Sequence, residues 1–506
     1  MMIHSKVTDA IKTETDMLAV FAFAGKTDGA IEFSDEAKRV DTALGGMLAE
    51  VALAEKFTAK KNTLLLIHTH GKIPAKRVLI TGAGHLKALT VSDWQTITAS
   101  VVRRAKAIAA AAFALAIPRS ILDGLGDQHA AWGAAVGLML GDYTFLKHKN
   151  EETRNKEPSI TDVLLLVHPS RLSAVARGVA RGTIESRAVI FARDLVNEPP
   201  SVTTPTYLAE AAKAIARGSS HISCQVFGTS QIEKMGMGGL LGIARGSAEE
   251  PKFIHMTYRG SGRKTIALIG KGITFDTGGL SIKSSSGMET MKLDMAGAAA
   301  ILGVFRVLAE LKPNVNVVGL IAATENMPGS RAIKPGDVVR AMNGKTIEIL
   351  NTDAEGRVIL ADALSYAAIR VKPDIVIDLA TLTGACVVAL GEDIAGLFSN
   401  TAELTKTIIE ASRRSGEKIW ELPLERGYRD MIKSAVADVK NSTKTRWAGA
   451  ITAALFLSEF VPENLSWGHI DIAGPAFAEK GTPLTQTGGT GFGVLTILSL
   501  LPSVSP

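Results

Sequence analysis

An α/β fold in two domains is what the sequence predicts: a smaller N-terminal α/β domain, then a larger C-terminal domain with a central, mostly parallel sheet flanked by helices. Three observations lead there. A chain of 506 residues is longer than one hydrophobic core supports economically, so two or three domains are expected. Near the middle, Asn197-Glu198-Pro199-Pro200-Ser201-Val202-Thr203-Thr204-Pro205 places three prolines in seven residues beside hydroxyl residues, a strong break signal. Beyond that point, apolar runs of strand length alternate with helical patterns, as in a sheet covered by helices.

Taken in order, residues 17–24, 64–68 and 77–81 are short apolar runs read as strands. A helical pattern over 92–117 follows, ended by Pro118. Residues 163–167 form another strand candidate, and 171–195 a helix that leads into the prolines. The domains are therefore drawn as 1–168, a connecting helix and linker at 169–197, and 198–506. In the second domain, strands are expected at 265–269, 315–323 and 375–379, and helices at 296–311 and 357–371. Asn343-Gly344 between apolar runs signals a hairpin.

Composition narrows the class. Apolar residues at 46% and charged residues at 21% describe a soluble globular chain rather than long disorder. No window reaches the ~18 uninterrupted apolar residues of a membrane span; the most apolar stretch, 107–117, is short and reads as buried helix. The N-terminal segment lacks the apolar core of a secretory signal. Two cysteines, Cys224 and Cys386, suit a reducing compartment, so a cytoplasmic location is expected. A net charge of +6 would permit contact with nucleic acid, yet no Lys/Arg block marks a basic arm.

Two segments carry chemistry. The first runs Gly270-Lys271-Gly272-Ile273-Thr274-Phe275-Asp276-Thr277-Gly278-Gly279-Leu280-Ser281-Ile282-Lys283, with Met291-Lys292-Leu293-Asp294 shortly after. The second is Asn351-Thr352-Asp353-Ala354-Glu355-Gly356-Arg357. The first follows a buried strand, beyond whose carboxyl end ligands gather in α/β sheets. Asp294 stands just before an apolar helix, where the dipole favours its charge and it could cap. If the second segment is extended, Asp353, Glu355 and Arg357 project from one side. Converging carboxylates would repel unless cations neutralise them, so a metal site is one reading. The other stands beside it: Asp276 as a turn residue, Asp294 as a plain cap, Glu355 and Arg357 as an exposed ion pair.

Together these segments resemble the signature of the leucyl aminopeptidase family, the two-metal cytosolic aminopeptidases, and the 351–357 string is highly specific to it. The resemblance extends to 193–205, Thr381-Leu382-Thr383-Gly384 and His469-Ile470-Asp471-Ile472-Ala473-Gly474. It covers essentially residues 197–506, the N-terminal domain being compatible with a family whose N-domains vary. Thr277 departs from the commoner serine but keeps a hydroxyl.

The resemblance implies that the C-terminal domain is a catalytic metallopeptidase domain releasing N-terminal leucine and similar residues from short peptides. Asp276 and Glu355 would bridge two divalent metals, Lys271 and Asp294 would complete the tighter site, and Asp353 the exchangeable one. Lys283 would stabilise the oxyanion, and Arg357 would hold a bicarbonate acting as general base. Met291, Thr381, Gly384, Ala473 and Ala476 resemble the lining of the pocket for the first side chain; without the resemblance they read as core. Carboxylates alone suggest magnesium or manganese, whereas the family implies zinc, with manganese exchanged into the looser site. A cytoplasmic homohexamer is implied too. Lys271 could ligate only when deprotonated, which a neighbouring dication would drive.

Other signals fall away. Gly82-Ala83-Gly84-His85 imitates a dinucleotide loop but lacks the third glycine, and no G-x-S-x-G or H-E-x-x-H string exists. His469 is read as structural. The competing class is a DNA-binding or scaffold protein of the same fold.

Overall fold

The computed structural model describes all residues except Asp28, Gly29, Lys444, Arg446, Ser505 and Pro506. The chain forms two compact units, Met1–Arg187 with Lys480–Gln486, and Ala188–Glu479 with Thr487–Pro506.

The first unit is built on β1 (Met2–Lys6), β2 (Met17–Ala24), β3 (Ile31–Phe33), β4 (Leu64–His68), β5 (Arg77–Gly82), β6 (Ala112–Ala116) and β7 (Asp162–Leu166). The sheet runs β1-β7-β6-β2-β5-β4, with β3 on β2. All pairings are parallel except those of β3 and β4. Strand β2 shows why: Met17, Ala19 and Phe21 enter one apolar cluster, Leu18, Val20 and Ala22 another. A strand buried on both faces reads as a continuous apolar run. Helices Val91–Ala107 and Asp127–Asp142 contribute to the first cluster, Asp35–Ala43 and Met47–Ala54 to the second.

One expectation fails here. The helix expected over 92–117 stops at Ala107, and Ala109 is left-handed with φ 52°. The stretch read as buried helix contains β6, between β7 and β2. Alanine hides the period-two pattern that decides the matter: Phe113 and Leu115 pack on one face, Ala114 and Ala116 on the other.

The second unit adds β8 (Ile222–Phe227), β9 (Lys252–Tyr258), β10 (Thr265–Asp276), β11 (Asn316–Asn326), β12 (Val338–Arg340) and β13 (Thr346–Glu348). It continues with β14 (Ile375–Ala380), β15 (Ile394–Ser399), β16 (Lys418–Glu421), β17 (Val439–Lys440) and β18 (Ser466–Asp471). Its main sheet is ordered β16-β15-β18-β14-β10-β11-β9-β8. Strands β18, β14, β10 and β11 are parallel, with antiparallel strands beyond them on either side. Asn343-Gly344 does turn the β12–β13 hairpin, Gly344 at φ 92°. The expected two-domain α/β architecture with a mostly parallel central sheet is therefore present. Among the described residues, no helix is long and apolar enough to cross a membrane.

Strand β10 runs seven residues past the expected end at Ile269, so Lys271 and Asp276 lie on the strand itself. Its register against β11 shifts between Ile273 and Asp276, an irregularity that re-aims the last side chains.

Candidate metal centre

Four elements deliver the acidic residues to one place. Lys271 and Asp276 come from the end of β10. Asp294 sits in a single tight turn, Met291–Met295, that leads into the apolar helix Ala296–Leu311. Asp353 ends a loop, and Glu355 is the first residue of helix Glu355–Tyr366.

That last assignment corrects the extended reading. Asp353, Glu355 and Arg357 do not alternate along a strand, because the helix begins between the first two. They converge through the turn instead. Asp294 likewise makes no cap: the helix that follows has no side-chain cap hydrogen bond. Its Oδ1 accepts from Lys271 Nζ at 2.8 Å and from the Thr381 hydroxyl at 2.6 Å. Nor is Glu355 an exposed partner of Arg357, since it is buried and lies 2.8 Å from Lys271 Nζ.

Carboxylate oxygens of Asp276, Asp353 and Glu355 lie within 4.8 Å of one another. Lys271, only 3% exposed, also donates to the Thr381 carbonyl at 2.8 Å. Lys283 Nζ lies 2.8 Å from Asp276 Oδ2 and 2.5 Å from Asp353 Oδ1. Burial and the nearby Glu355 push the Asp276 carboxyl up to about 6, against the pull of the two lysines. Burial also raises the Asp294 carboxyl well above its ordinary value. Burial opposes the Lys271 ammonium, yet Asp294 and Glu355 outweigh it and hold the amine above its ordinary value. Four carboxylates thus face two ammoniums, an excess of two negative charges when all are ionised. Asp294 Oδ2 and Glu355 Oε2 are buried without a hydrogen-bond partner, a costly state for carboxylate oxygens. Both features fit divalent cations bound by oxygen donors.

The loops are knitted together by residues that sequence reasoning did not single out. Asn326, buried at the end of β11, donates through Nδ2 to Asp276 Oδ1 at 2.7 Å and to the Thr352 carbonyl at 3.0 Å. Its own carbonyl accepts the Thr277 hydroxyl at 2.7 Å, which is why a hydroxyl is needed there. Thr352 Oγ1 donates to the Gly278 carbonyl at 2.6 Å and accepts from Ser281 N at 2.7 Å. Gly278 holds φ 86°, a conformation glycine adopts without strain. A polar residue at the carboxyl end of a buried strand could have flagged Asn326. Asn441 had no such signal; its Nδ2 donates to the Asn351 carbonyl at 2.7 Å and its carbonyl accepts from Arg357 Nη1 at 2.9 Å. Burial lowers the Arg357 guanidinium to about 10, and its Nε has no partner.

Of the expected pocket residues, Met291 and Thr381 adjoin this cluster. Met291 opens the turn that carries Asp294, and Thr381 is committed to Asp294 and Lys271. Gly384, exposed, starts helix Gly384–Leu390. Asp471 joins the outlying positions, accepting from Leu382 N at 3.1 Å, from the Thr383 hydroxyl at 2.7 Å and from Ala473 N at 3.1 Å. Ala476 is buried. His469 is fully buried, its Nδ1 2.5 Å from Asp378 Oδ1, beside the Trp467 indole that donates to Asp378 Oδ2 at 2.7 Å.

Comparison with known proteins places these features in company. A family profile described as "Cytosol aminopeptidase family, catalytic domain" matches residues 190–498, and one described as "Cytosol aminopeptidase family, N-terminal domain" matches 19–152. The chain is 44% identical over 466 residues to a probable cytosol aminopeptidase of Geobacter sulfurreducens, covering 92% of each chain. It is 43% identical over 491 residues to one of Aquifex aeolicus, covering 96% of each. Among solved structures, a mutant of tomato leucine aminopeptidase matches with TM-score 0.87 and 34% identity, over 99% of this chain and 96% of that one. The bottromycin maturation enzyme BotP in complex with Mn matches with TM-score 0.84 and 34% identity, over 97% and 100%.

Proposed function

We propose, from the premise that this chain belongs to the cytosol aminopeptidase family and is a hydrolase of the aminopeptidase class, that it releases leucine and similar apolar residues from the N-termini of short peptides, using water activated by two divalent metals. The observation that carries this reading is the convergence of the buried Asp276 and Glu355 and the half-buried Asp353 beside Lys271, Asp294 and Lys283.

In this reading Asp276 and Glu355 would serve both cations, with Lys271 and Asp294 completing the tighter site and Asp353 the exchangeable one. Bound there, the cations would lower the pKa of water and polarise the scissile carbonyl. The chain's own residues do the rest. Lys271 contributes a neutral amine, and the carbonyl of Thr381 keeps its nitrogen in place. Lys283, its carboxylate partners engaged by cations, donates to the oxygen that gains charge as the carbonyl carbon is attacked. Arg357, with Nε unpartnered and Nη1 fixed by Asn441, is suited to hold a small oxyanion; bicarbonate there would take the proton from water. Met291, Thr381, Gly384, Ala473 and Ala476 would receive the first side chain. The amine nitrogen of Lys271 favours zinc at the tight site, and manganese at the other is supported by the Mn complex of BotP. A cytoplasmic homohexamer completes the proposal.

The test is hydrolysis of a leucine amide of a fluorescent amine by the protein as isolated, after chelation, and after adding back zinc, manganese or cobalt. Activity that vanishes with chelator and returns with metal supports the reading. Chelator-insensitive hydrolysis, or none in any state with metal bound, would sink it and turn attention to DNA binding.

A further inference from the structure

The first unit contains a cavity of about 340 Å³, lined wholly by its own residues, that the reaction above does not use. It lies past the carboxyl ends of β1, β7 and β6, bordered by Val7, Ile117 and Val167, each the first residue after its strand. In parallel α/β sheets ligands gather beyond the carboxyl ends of the strands, which is where this cavity lies. The volume falls within the range of small-molecule sites.

The lining is divided chemically. Val7, Ile117, Leu122 and Leu166 form an apolar wall. Glu36 lines the cavity with Oε2 buried and without a hydrogen-bond partner, while burial pushes its carboxyl up. Three guanidiniums share the lining with unequal commitments. Arg39 is held by Asp9 at 2.5 Å and Arg171 by Asp123 and Asp127 at 2.5 and 2.7 Å, whereas Arg119 reaches Asp123 only at 3.7 Å and is 74% exposed. A buried acceptor, an available guanidinium and an apolar wall are complementary to an ammonium, a carboxylate and a hydrocarbon side chain.

We propose that this cavity binds a free α-amino acid with an apolar side chain, its ammonium on Glu36, its carboxylate on Arg119 and its side chain against Ile117 and Leu122. Such a molecule is also what the reaction proposed above would release; that link rests on the proposed function, whereas the binding site rests on the cavity alone.

Equilibrium dialysis of radiolabelled L-leucine against the chelator-treated full chain tests the site. Saturable binding is expected, weakened at least ten-fold by Glu36→Gln and by Val7→Trp, which fills the mouth from a 41% exposed position. N-acetylleucine, lacking the ammonium, and leucinamide, lacking the carboxylate, should each compete at least ten-fold more weakly than leucine. Metal-restored hydrolysis of leucine amide should be unchanged in both variants, and unaltered melting would show that they fold. No saturable binding, binding indifferent to both substitutions, or N-acetylleucine competing as well as leucine would overturn the assignment. Failed hydrolysis by the wild-type protein would instead overturn the proposed function and leave the dialysis result readable.

Discussion

Lys271 meets Asp294 and Glu355 while Lys283 meets Asp276 and Asp353, and the two are proposed to do opposite things, one as a neutral ligand and one as a charged donor. Lys283 is half-buried at the edge of the cluster, where an ammonium can meet a substrate oxygen. Lys283→Ala should lower kcat by about 10²–10³-fold, the usual loss for one oxyanion donor, with metal content unchanged. Metal analysis showing a vacant site would mean that Lys283 acts by holding Asp276 and Asp353. Lys271 is constrained from an unexpected side: a Cβ on Gly356 would come 2.5 Å from its Cε and 2.7 Å from its Nζ. Gly356→Ala should displace the amine, costing about 1–3 kcal/mol of stability and about one metal per chain; full metal occupancy by mass spectrometry would refute it. The family string contains Gly356, but its reason became visible only when strand and helix were brought together.

The parallel strands end at different heights, and single side chains bridge them. Asn326 ties β11 to both loops of the cluster. Asn326→Ala should weaken metal affinity about 10–100-fold, as loss of groups that orient ligands commonly does, and a competition titration with a chelator of known affinity would read it. Farther along helix Glu355–Tyr366, the buried Asp362 accepts from Leu240 N and Met342 N, both at 2.8 Å. Burial pushes its carboxyl up to about 7. A carboxyl with a raised folded pKa is proton-bound in the folded state while already ionised in the unfolded one. Stability therefore falls as pH rises from about 4 to about 7. Asp362→Asn removes that dependence, so its melting temperature relative to wild type should climb over this window and level off above it. A constant difference from pH 4 to 8 would show that Asp362 is ionised throughout. The sequence gives Asp362 only as a polar residue among apolar ones, since its partners lie more than a hundred residues away and twenty residues back.

For the whole molecule, the proposed hexamer of a 53.3 kDa chain should scatter light as a particle of about 320 kDa, six chains by mass. Val388, Trp420, Val436 and Trp447 are 64–90% exposed on the second unit, and large exposed apolar side chains of this kind commonly await a partner surface. A monomer mass at micromolar concentration would remove the assembly from the proposal. The sequence by itself determined the class of fold, strands β2, β4, β5, β7, β10, β11 and β14, and the acidic residues that converge, because burial on both faces leaves continuous apolar runs and because the 351–357 string is so specific. It misread 107–117 as helix, since alanine conceals period two, and it took Asp353, Glu355 and Arg357 as alternating, since spacing does not reveal where a helix begins. Only the tertiary structure decided that Asp294 serves Lys271 rather than a helix end, that Asn326 and Asn441 brace the loops, and that the first unit holds a cavity beyond its strands. Those facts depend on distances between residues tens to hundreds of positions apart, which local pattern does not encode and packing alone fixes.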